Sequence, residues 1–212
     1  MDFKAARAQL IEQLSSSIKD ERVLAAMSRV PRELFVPLEE KYWAYEDRPL
    51  PIGFGQTISQ PFIIALMTSS LELTGKEKVL EVGTGSGYQA AILAELSRSV
   101  ITTERLPALA SAARKVLDSL GYSNIKVHVA DEAVLGWKRK APYDAIIVTA
   151  AAPKVPVDLL AQLAIGGRMV IPVGSRYVQE LCKIIKRRHK TVVQNLGGCR
   201  FVPLIGKDAW EE

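Results

Sequence analysis

Residues 79–88 read Val-Leu-Glu-Val-Gly-Thr-Gly-Ser-Gly-Tyr, a short apolar run followed by three glycines at alternate positions. An apolar helical pattern follows directly, so this order predicts a strand, a tight turn and a helix. Glycine lets the backbone turn sharply and lets a ligand approach without meeting a Cβ atom. The turn also points the free N–H groups of the following helix into the crevice beyond the strand. We therefore expect a polar ligand at this turn.

Acidic residues indicate which ligand it is. Glu81 stands directly before the glycines, and Glu104 ends a second apolar run about 20 residues further on, the offset of an acid that binds ribose hydroxyls. In the dinucleotide fingerprint the third glycine would stand where Tyr88 stands here, because Gly87 comes one residue early. Glu81 would also repel a pyrophosphate and attract an ammonium or sulfonium group. By charge, the two acids favour S-adenosylmethionine over NAD.

From residue 78 onward, strand and helix patterns alternate, which predicts a Rossmann-like, doubly wound, mostly parallel α/β sheet with helices on both faces. The parallel strands are expected at 79–82, 100–104, 125–129 and 168–173, with a fifth in the segment 143–153, and the helices at 88–98, 107–120 and 156–164. Two further strands, 178–186 and 191–202, should pair antiparallel and complete a sheet of about seven strands. Asp131 ends the third strand at the same edge as the two glutamates, either as an adenine partner or as a turn residue.

The residues before this alternation are predicted to be mostly helical and to pack against the α/β core. One helix is expected at 3–16 and a second one after Asp20, which can cap it. Residues 46–61 are rich in glycine and proline and predict an extended loop that leads into another helix. Ser59 fits the N-cap of that helix, and this role is compatible with catalysis because a capping serine lies where an anion would bind. We expect one domain over 1–212, with N-terminal helices and active-site loop at 1–75, the cofactor-binding core at 76–175 and C-terminal strands at 176–212.

Composition excludes several classes of function. The net charge of +5 is matched by the five basic residues between 183 and 190, a run without aromatics that predicts a solvated turn, not a nucleic-acid interface. No apolar run reaches the ~18 residues that a membrane span needs, and the polar start does not suggest a signal peptide, so we expect a cytoplasmic protein. Cys182 and Cys199 lack metal-ligand spacing, and we expect no metal site.

Four stretches carry a resemblance to a known family along nearly the whole chain: 53–61, 81–88, 143–153 with 166–174, and 200–206. The glycine loop is similar to the first motif of the S-adenosylmethionine-dependent methyltransferases. The stretch Gly-Phe-Gly-Gln-Thr-Ile-Ser-Gln-Pro at 53–61 is far more specific and resembles the protein-L-isoaspartate O-methyltransferases. This resemblance implies methyl transfer from S-adenosylmethionine to the carboxyl group of L-isoaspartyl residues in damaged proteins and peptides, as a repair reaction. We expect a monomer, although the sequence itself does not determine the oligomeric state.

The resemblance also implies roles for individual residues. Ser59 is expected to be the active-site residue, with Thr57 and Gln60 beside it in the substrate-binding loop. The expected cofactor-binding residues are Glu81 at the methionyl end, directly or through water, Gly83, Gly85 and Gly87 at the close approach, Glu104 at the ribose, and Asp131 with Glu132 at the adenine. The family usually has glycine where this chain has Glu132, a difference that can alter cofactor affinity but not the reaction type.

Other functions are compatible with the same fold. A nucleic-acid methyltransferase is the main alternative, followed by a non-enzymatic nucleoside-binding protein and an NAD-dependent oxidoreductase. Against the first, the fourth strand ends in Thr-Ala-Ala-Ala-Pro at 149–153, not in the Asn/Asp-Pro-Pro-aromatic loop of many amino-directed base methylases. A carboxylate acceptor needs no strong general base, which agrees with the prediction that His128 is a structural strand residue.

Overall fold

The structure is a computed structural model that describes residues 1–131 and 134–211. The helices are α1 (Phe3–Ser15), α2 (Glu21–Arg29), α3 (Pro61–Ser70), α4 (Tyr88–Leu96), α5 (Pro107–Ser119) and α6 (Val157–Gln162), with 3-10 turns at Arg32–Leu34, Leu38–Trp43 and Lys138–Lys140. The strands are β1 (Leu50–Gly53), β2 (Gln56–Ile58), β3 (Lys78–Val82), β4 (Ser99–Glu104), β5 (Ile125–Val129), β6 (Tyr143–Val148), β7 (Leu163–Gly174), β8 (Gln179–Lys186) and β9 (Thr191–Cys199).

The main sheet has the strand order β5-β4-β3-β6-β7-β8-β9. Strands β3 to β7 are parallel, whereas β8 and β9 are antiparallel additions, as the sequence predicts. The chain runs outward from β3 through β4 to β5 and then returns to β6 on the other side of β3. This reversal opens a crevice at the carboxyl ends of β3 and β6, where sheets of this kind bind their ligands.

The two faces of β3 belong to different apolar cores. Val79 packs with the core that α1 to α5 line, whereas Leu80 and Val82 pack with the core that Leu159 of α6 enters. This follows from the two-residue period of a strand, and burial on both faces explains why the parallel strands read as apolar runs. The glycine turn is therefore held at the end of a strand that is rigid on both sides.

Three segments differ from the predictions. Residues 50–58 form an antiparallel hairpin, in which Leu50 pairs with Ile58, where the sequence suggested an extended loop. Strand β9 ends at Cys199 because the backbone of Phe201 binds the side chain of Gln179 at 2.7 and 3.2 Å and so leaves the sheet. Strand β7 begins at Leu163, earlier than predicted. Its pairing with β6 is irregular between Leu163 and Arg168, and this irregularity lets the strand include the glycines before residue 168.

The basic run is also less uniform than predicted. Lys183 is buried in β8 and forms an ion pair with Glu72 at 2.5 Å. Lys186 donates to the carbonyl oxygens of Leu160 and Leu163 at 2.6 and 2.7 Å. Only the residues from 187 to 190 form the exposed turn. Within the described parts of the chain, no helix is both long enough and apolar enough to cross a membrane.

Candidate active site

A cavity of about 450 Å³ opens at the carboxyl edge of β3, β4 and β6. Its wall includes residues from the β1–β2 hairpin, α3, the glycine turn, the ends of β4, β5 and β6, and the C-terminal segment. Of the predicted site residues, it is lined by Thr57, Ser59, Gly83, Gly85, Glu104 and Asp131. Its volume lies in the range of about 300 to 1,000 Å³ that is typical of small-molecule and cofactor sites.

Gly83 begins the turn, and its surroundings strongly favour glycine. Its φ is +98°, and a Cβ atom would lie 2.3 Å from Oγ1 of Thr149. That hydroxyl donates to the Gly83 carbonyl at 2.6 Å and also lies 3.1 Å from the Val82 carbonyl. The N–H of Gly83 is already bound to the Thr103 carbonyl at 2.9 Å. Gly83 therefore lets a ligand approach the backbone closely but offers it no free hydrogen-bond donor.

Gly85 and Gly87 serve different purposes. Gly85 lines the cavity with a φ of +53°, and its Cβ position is 3.4 Å from Cδ1 of Ile52 in the hairpin. Gly87 is not among the lining residues. Its φ is +93°, and a Cβ atom would lie 3.3 Å from Ala113 and Leu117 of α5. The geometry thus gives Gly87 a packing role, and its contact with the cofactor stays a prediction.

Glu104 connects the glycine turn to the start of α5. One carboxylate oxygen accepts from the N–H of Gly85 at 2.8 Å and the other from that of Leu106 at 3.0 Å. Only 7% of Glu104 is exposed, and that surface faces the cavity. A carboxylate offers about four lone-pair sites, so it retains acceptor capacity for ligand hydroxyl groups. The two hydrogen bonds from backbone N–H groups hold the Glu104 carboxylate in one orientation toward the cavity.

Glu81 has a different environment from the one predicted. It lies within β3, is fully buried, and is not among the residues that line the cavity. Neither carboxyl oxygen has a hydrogen-bond partner among the described residues, and the hydroxyl of Thr102, its register partner, lies 2.6 Å from that of Thr84. Burial raises the pKa of Glu81 to about 8; the nearby hydroxyl of Thr102 opposes this shift, and the charge of Glu104 adds to it. Glu81 is therefore mostly protonated at neutral pH, and its role at the methionyl end, directly or through water, stays a prediction.

Asp131 lies at the open end of the cavity and is exposed. Its carbonyl accepts from the N–H of Val134 at 3.2 Å, so it also forms a turn. Leu135 and Gly136 line the adjacent wall. Both interpretations of Asp131 thus agree with its position. Glu132 lies outside the described residues, and its part in the adenine site stays a prediction.

Ser59 follows the hairpin and is half-buried, with no hydrogen bond to its hydroxyl among the described residues. The N-cap interpretation is wrong, because Gln60 occupies the N-cap of α3. Asp47 instead accepts the N–H of Phe62 at 2.8 Å, and its second oxygen accepts from the Gln60 amide at 2.9 Å. Because Asp47 accepts a backbone N–H at the start of α3, the Ser59 hydroxyl is not needed there and remains available to a ligand.

A second cavity, of about 220 Å³, lies beside the first. The two cavities share Thr57, Ser59, Thr149 and Val202 as lining residues, so these four side chains separate them. The remaining wall of the second cavity consists of Pro49, Gln60, Ile63 and residues 198–201. Ser59 therefore lies at the junction of two chambers.

The C-terminal segment closes the outer side of both chambers. Ala151, after β6, accepts from the N–H of Leu204 and donates to the Val202 carbonyl, both at 2.8 Å. These bonds hold residues 202–205 against the end of the sheet, where they line the first cavity. The sequence resemblance included this stretch, but no role was predicted for it.

Two other residues were not predicted as part of the site. Thr149 fixes the glycine turn, and its position at the end of a parallel strand was the available signal. Arg32 donates to the Ser59 carbonyl at 2.9 Å from a 3-10 turn 27 residues away. No local pattern marks Arg32, since an isolated arginine in a polar segment is usually a surface residue.

The family model for protein-L-isoaspartate(D-aspartate) O-methyltransferase matches residues 5–209. The chain is 55% identical to protein-L-isoaspartate O-methyltransferase 1 of Syntrophobacter fumaroxidans, and the match covers 100% of this chain and 99% of that relative. It is 52% identical to the protein-L-isoaspartate O-methyltransferase of Geobacter metallireducens, covering 99% and 98%.

Solved structures agree. A protein-L-isoaspartate O-methyltransferase superposes with a TM-score of 0.85 at 27% identity and covers 96% of this chain, which in turn covers 67% of that one. A protein-L-isoaspartate O-methyltransferase from Plasmodium falciparum, in complex with S-adenosyl-L-homocysteine, superposes with a TM-score of 0.81 at 26% identity, covering 95% and 98%.

Proposed function

This chain belongs to the protein-L-isoaspartate(D-aspartate) O-methyltransferase family, and we infer from that membership that it transfers a methyl group from S-adenosylmethionine to the carboxyl group of L-isoaspartyl residues. Such residues form when asparagine deamidates or aspartate isomerises, and the methyl ester closes to a succinimide without the enzyme. Hydrolysis then regenerates some normal aspartate. The activity is protein repair.

The roles that we assign to individual residues in this reaction rest on the position of Ser59. It lines both chambers, so a group bound in one meets a group bound in the other at this side chain. We propose that the larger chamber holds the cofactor and the smaller one the acceptor. Thr57 and Gln60 then lie on the acceptor side, because both line the smaller chamber.

The glycine turn, Glu104 and Asp131 make the larger chamber suitable for the cofactor. Gly83 and Gly85 leave room for close approach, and Glu104 presents a fixed carboxylate to which ribose hydroxyls can donate. Asp131 lines the same chamber and is exposed, and we propose that it accepts from the adenine amino group. Glu81 lies behind the turn, and we propose that it acts on the methionyl end through water.

The chemistry needs little from the protein beyond orientation. S-adenosylmethionine, when bound, supplies a methyl group that is already activated on a sulfonium centre. The acceptor carboxyl has an ordinary pKa near 4, so it is ionised without a general base. Holding reactants near attack geometry can supply about 7 to 11 kcal/mol of the barrier. The rigid sheet edge, the fixed turn and the Ser59 loop are suited to that task.

Ser59 is proposed to donate a hydrogen bond from its hydroxyl to one oxygen of the acceptor carboxylate. The bond must stay modest, because the carboxylate loses charge as it attacks and strong stabilisation would favour the ground state. A neutral hydroxyl suits this requirement better than a charged donor in direct contact. The side chain thus selects which oxygen faces the methyl group.

We propose further that the protein works as a monomer in the cytoplasm and has no nucleic-acid partner. Two of the five basic residues between 183 and 190 are engaged with Glu72 and with backbone carbonyls, which leaves a small basic turn. Light scattering after size exclusion tests the monomer. RNA binding that weakens steeply with salt would contradict the last part of the proposal.

The decisive experiment uses two peptides that differ only in one L-aspartyl or L-isoaspartyl residue. Each is incubated with methyl-labelled S-adenosylmethionine, and methanol released by base is counted. Label in the isoaspartyl peptide alone is the expected result. Equal label in both, or label in neither despite cofactor binding, would refute the acceptor assignment.

A further inference from the structure

Arg32 is buried without an ion pair. Its side chain is fully inaccessible, and no carboxylate within the described residues lies within salt-bridge distance of it. Its Nε and Nη1 atoms have no hydrogen-bond partner in the same part of the chain. A buried guanidinium with unused donors costs free energy, so its presence calls for an explanation beyond packing.

The remaining nitrogen joins the ends of the hairpin that carries Thr57. Nη2 donates to the carbonyl of Ser59 at 2.9 Å and lies 3.5 Å from that of Arg48, so it links the residues flanking β1 and β2. The guanidinium also lies 5.1 Å from the ring centroid of Tyr88, the first residue of α4. Arg32 thus touches the main chain of the catalytic loop on one side and the helix after the glycine turn on the other.

The charge of Arg32 persists at neutral pH. Burial lowers its pKa to about 10, while the nearby Tyr88, Tyr45 and Asp47 oppose that shift. The centre is therefore a cation at pH 7, behind the loop whose front faces the acceptor chamber. In a low-dielectric site, charges act over longer distances than in water. An anion at the Ser59 hydroxyl would feel this field, reduced by the opposite charge of Asp47 beside Gln60, whereas a neutral ligand would not.

We propose that Arg32 is a positioning residue that makes the acceptor chamber selective for an ionised carboxyl group. It fixes the Ser59 main chain and provides a buried positive charge behind it without touching the substrate. This explains how a neutral serine can select an anion: the attraction comes from behind the loop, where it stabilises the bound carboxylate less than a charged donor in direct contact would. The inference rests on the proposed function of the same site.

The test compares an isoaspartyl peptide with the same peptide in which the free carboxyl is a carboxamide. Dissociation constants of both are measured in the presence of S-adenosyl-L-homocysteine, so no turnover intervenes. Arg32→Met removes the charge at similar volume, and Arg32→Lys keeps it. Arg168→Met is the matched control, because Arg168 also holds two main-chain carbonyls, at 2.7 and 2.9 Å, but away from both chambers.

Wild type and Arg168→Met are expected to prefer the carboxylate at least tenfold. Arg32→Met should reduce that preference below threefold with the affinity for S-adenosyl-L-homocysteine within threefold of wild type, and Arg32→Lys should retain most of it. An undiminished preference in Arg32→Met overturns the inference. If that variant does not fold, Arg32→Gln, which also removes the charge, provides the same comparison. Wild type that methylates no isoaspartyl peptide would refute the proposed function instead.

Discussion

Replacing Gly83 by alanine tests the claim that the cofactor turn depends on a contact between two strand ends. The new Cβ atom would lie 2.3 Å from Thr149 Oγ1 at a φ of +98°. The left-handed backbone costs about 1–2 kcal/mol. Displacing the Thr149 hydroxyl from its carbonyl partners adds about 1–3 kcal/mol. We therefore expect Gly83→Ala to lower the free energy of unfolding by about 2–5 kcal/mol.

The two contributions can be separated by a double-mutant cycle in urea. In a Thr149→Ala background the clash is gone, so Gly83→Ala should then cost only the backbone part, about 1–2 kcal/mol. Gly75→Ala is the matched control, because Gly75 has a φ of +96° and its Cβ would meet no atom within 4 Å. Its cost should be the same in both backgrounds. If Gly83→Ala also costs the same in both, the Thr149 contact does not constrain the turn, and the reasoning is refuted.

Three further predictions concern the site. Ser59→Ala should lower kcat for the isoaspartyl peptide much more than it weakens cofactor binding; calorimetry beside kinetics that found equal losses would contradict the acceptor role. Gly85→Val should abolish cofactor binding with the circular dichroism spectrum unchanged, because a β-branched residue is strongly disfavoured at a φ of +53°; unaltered binding would remove Gly85 from the cofactor site. Glu81→Gln should gain stability relative to wild type as pH rises from 5 to 8. The folded pKa of Glu81 is about 8 against an ordinary 4.5, so the unfolded chain binds fewer protons in that window and wild-type stability falls. A difference in urea midpoints that stays constant with pH would show that Glu81 titrates normally.

Sequence reasoning succeeded where structure follows from neighbours along the chain. The parallel strands were predictable because burial on both faces leaves apolar runs, and the strand-to-helix order around 79–88 is a local pattern. The catalytic role of Ser59 was predicted from the resemblance of the stretch 53–61, not from its spacing, which favoured a helix cap. The hairpin in that stretch was missed because glycines at its tip resemble a loop.

The sheet, the glycine turn and the family can be recognised from the residues alone, since each is encoded in short-range periodicity or in a contiguous motif. The use of the acids and cations depends on contacts between segments that are distant along the chain. Glu81 is a buried, mostly neutral acid because both faces of β3 are covered, and Asp47 frees Ser59 by binding the start of α3 from 15 residues away. Arg32 reaches the same loop across 27 residues. Burial and long-range contacts set the charge and orientation of these groups, and neither can be read from the residues beside them.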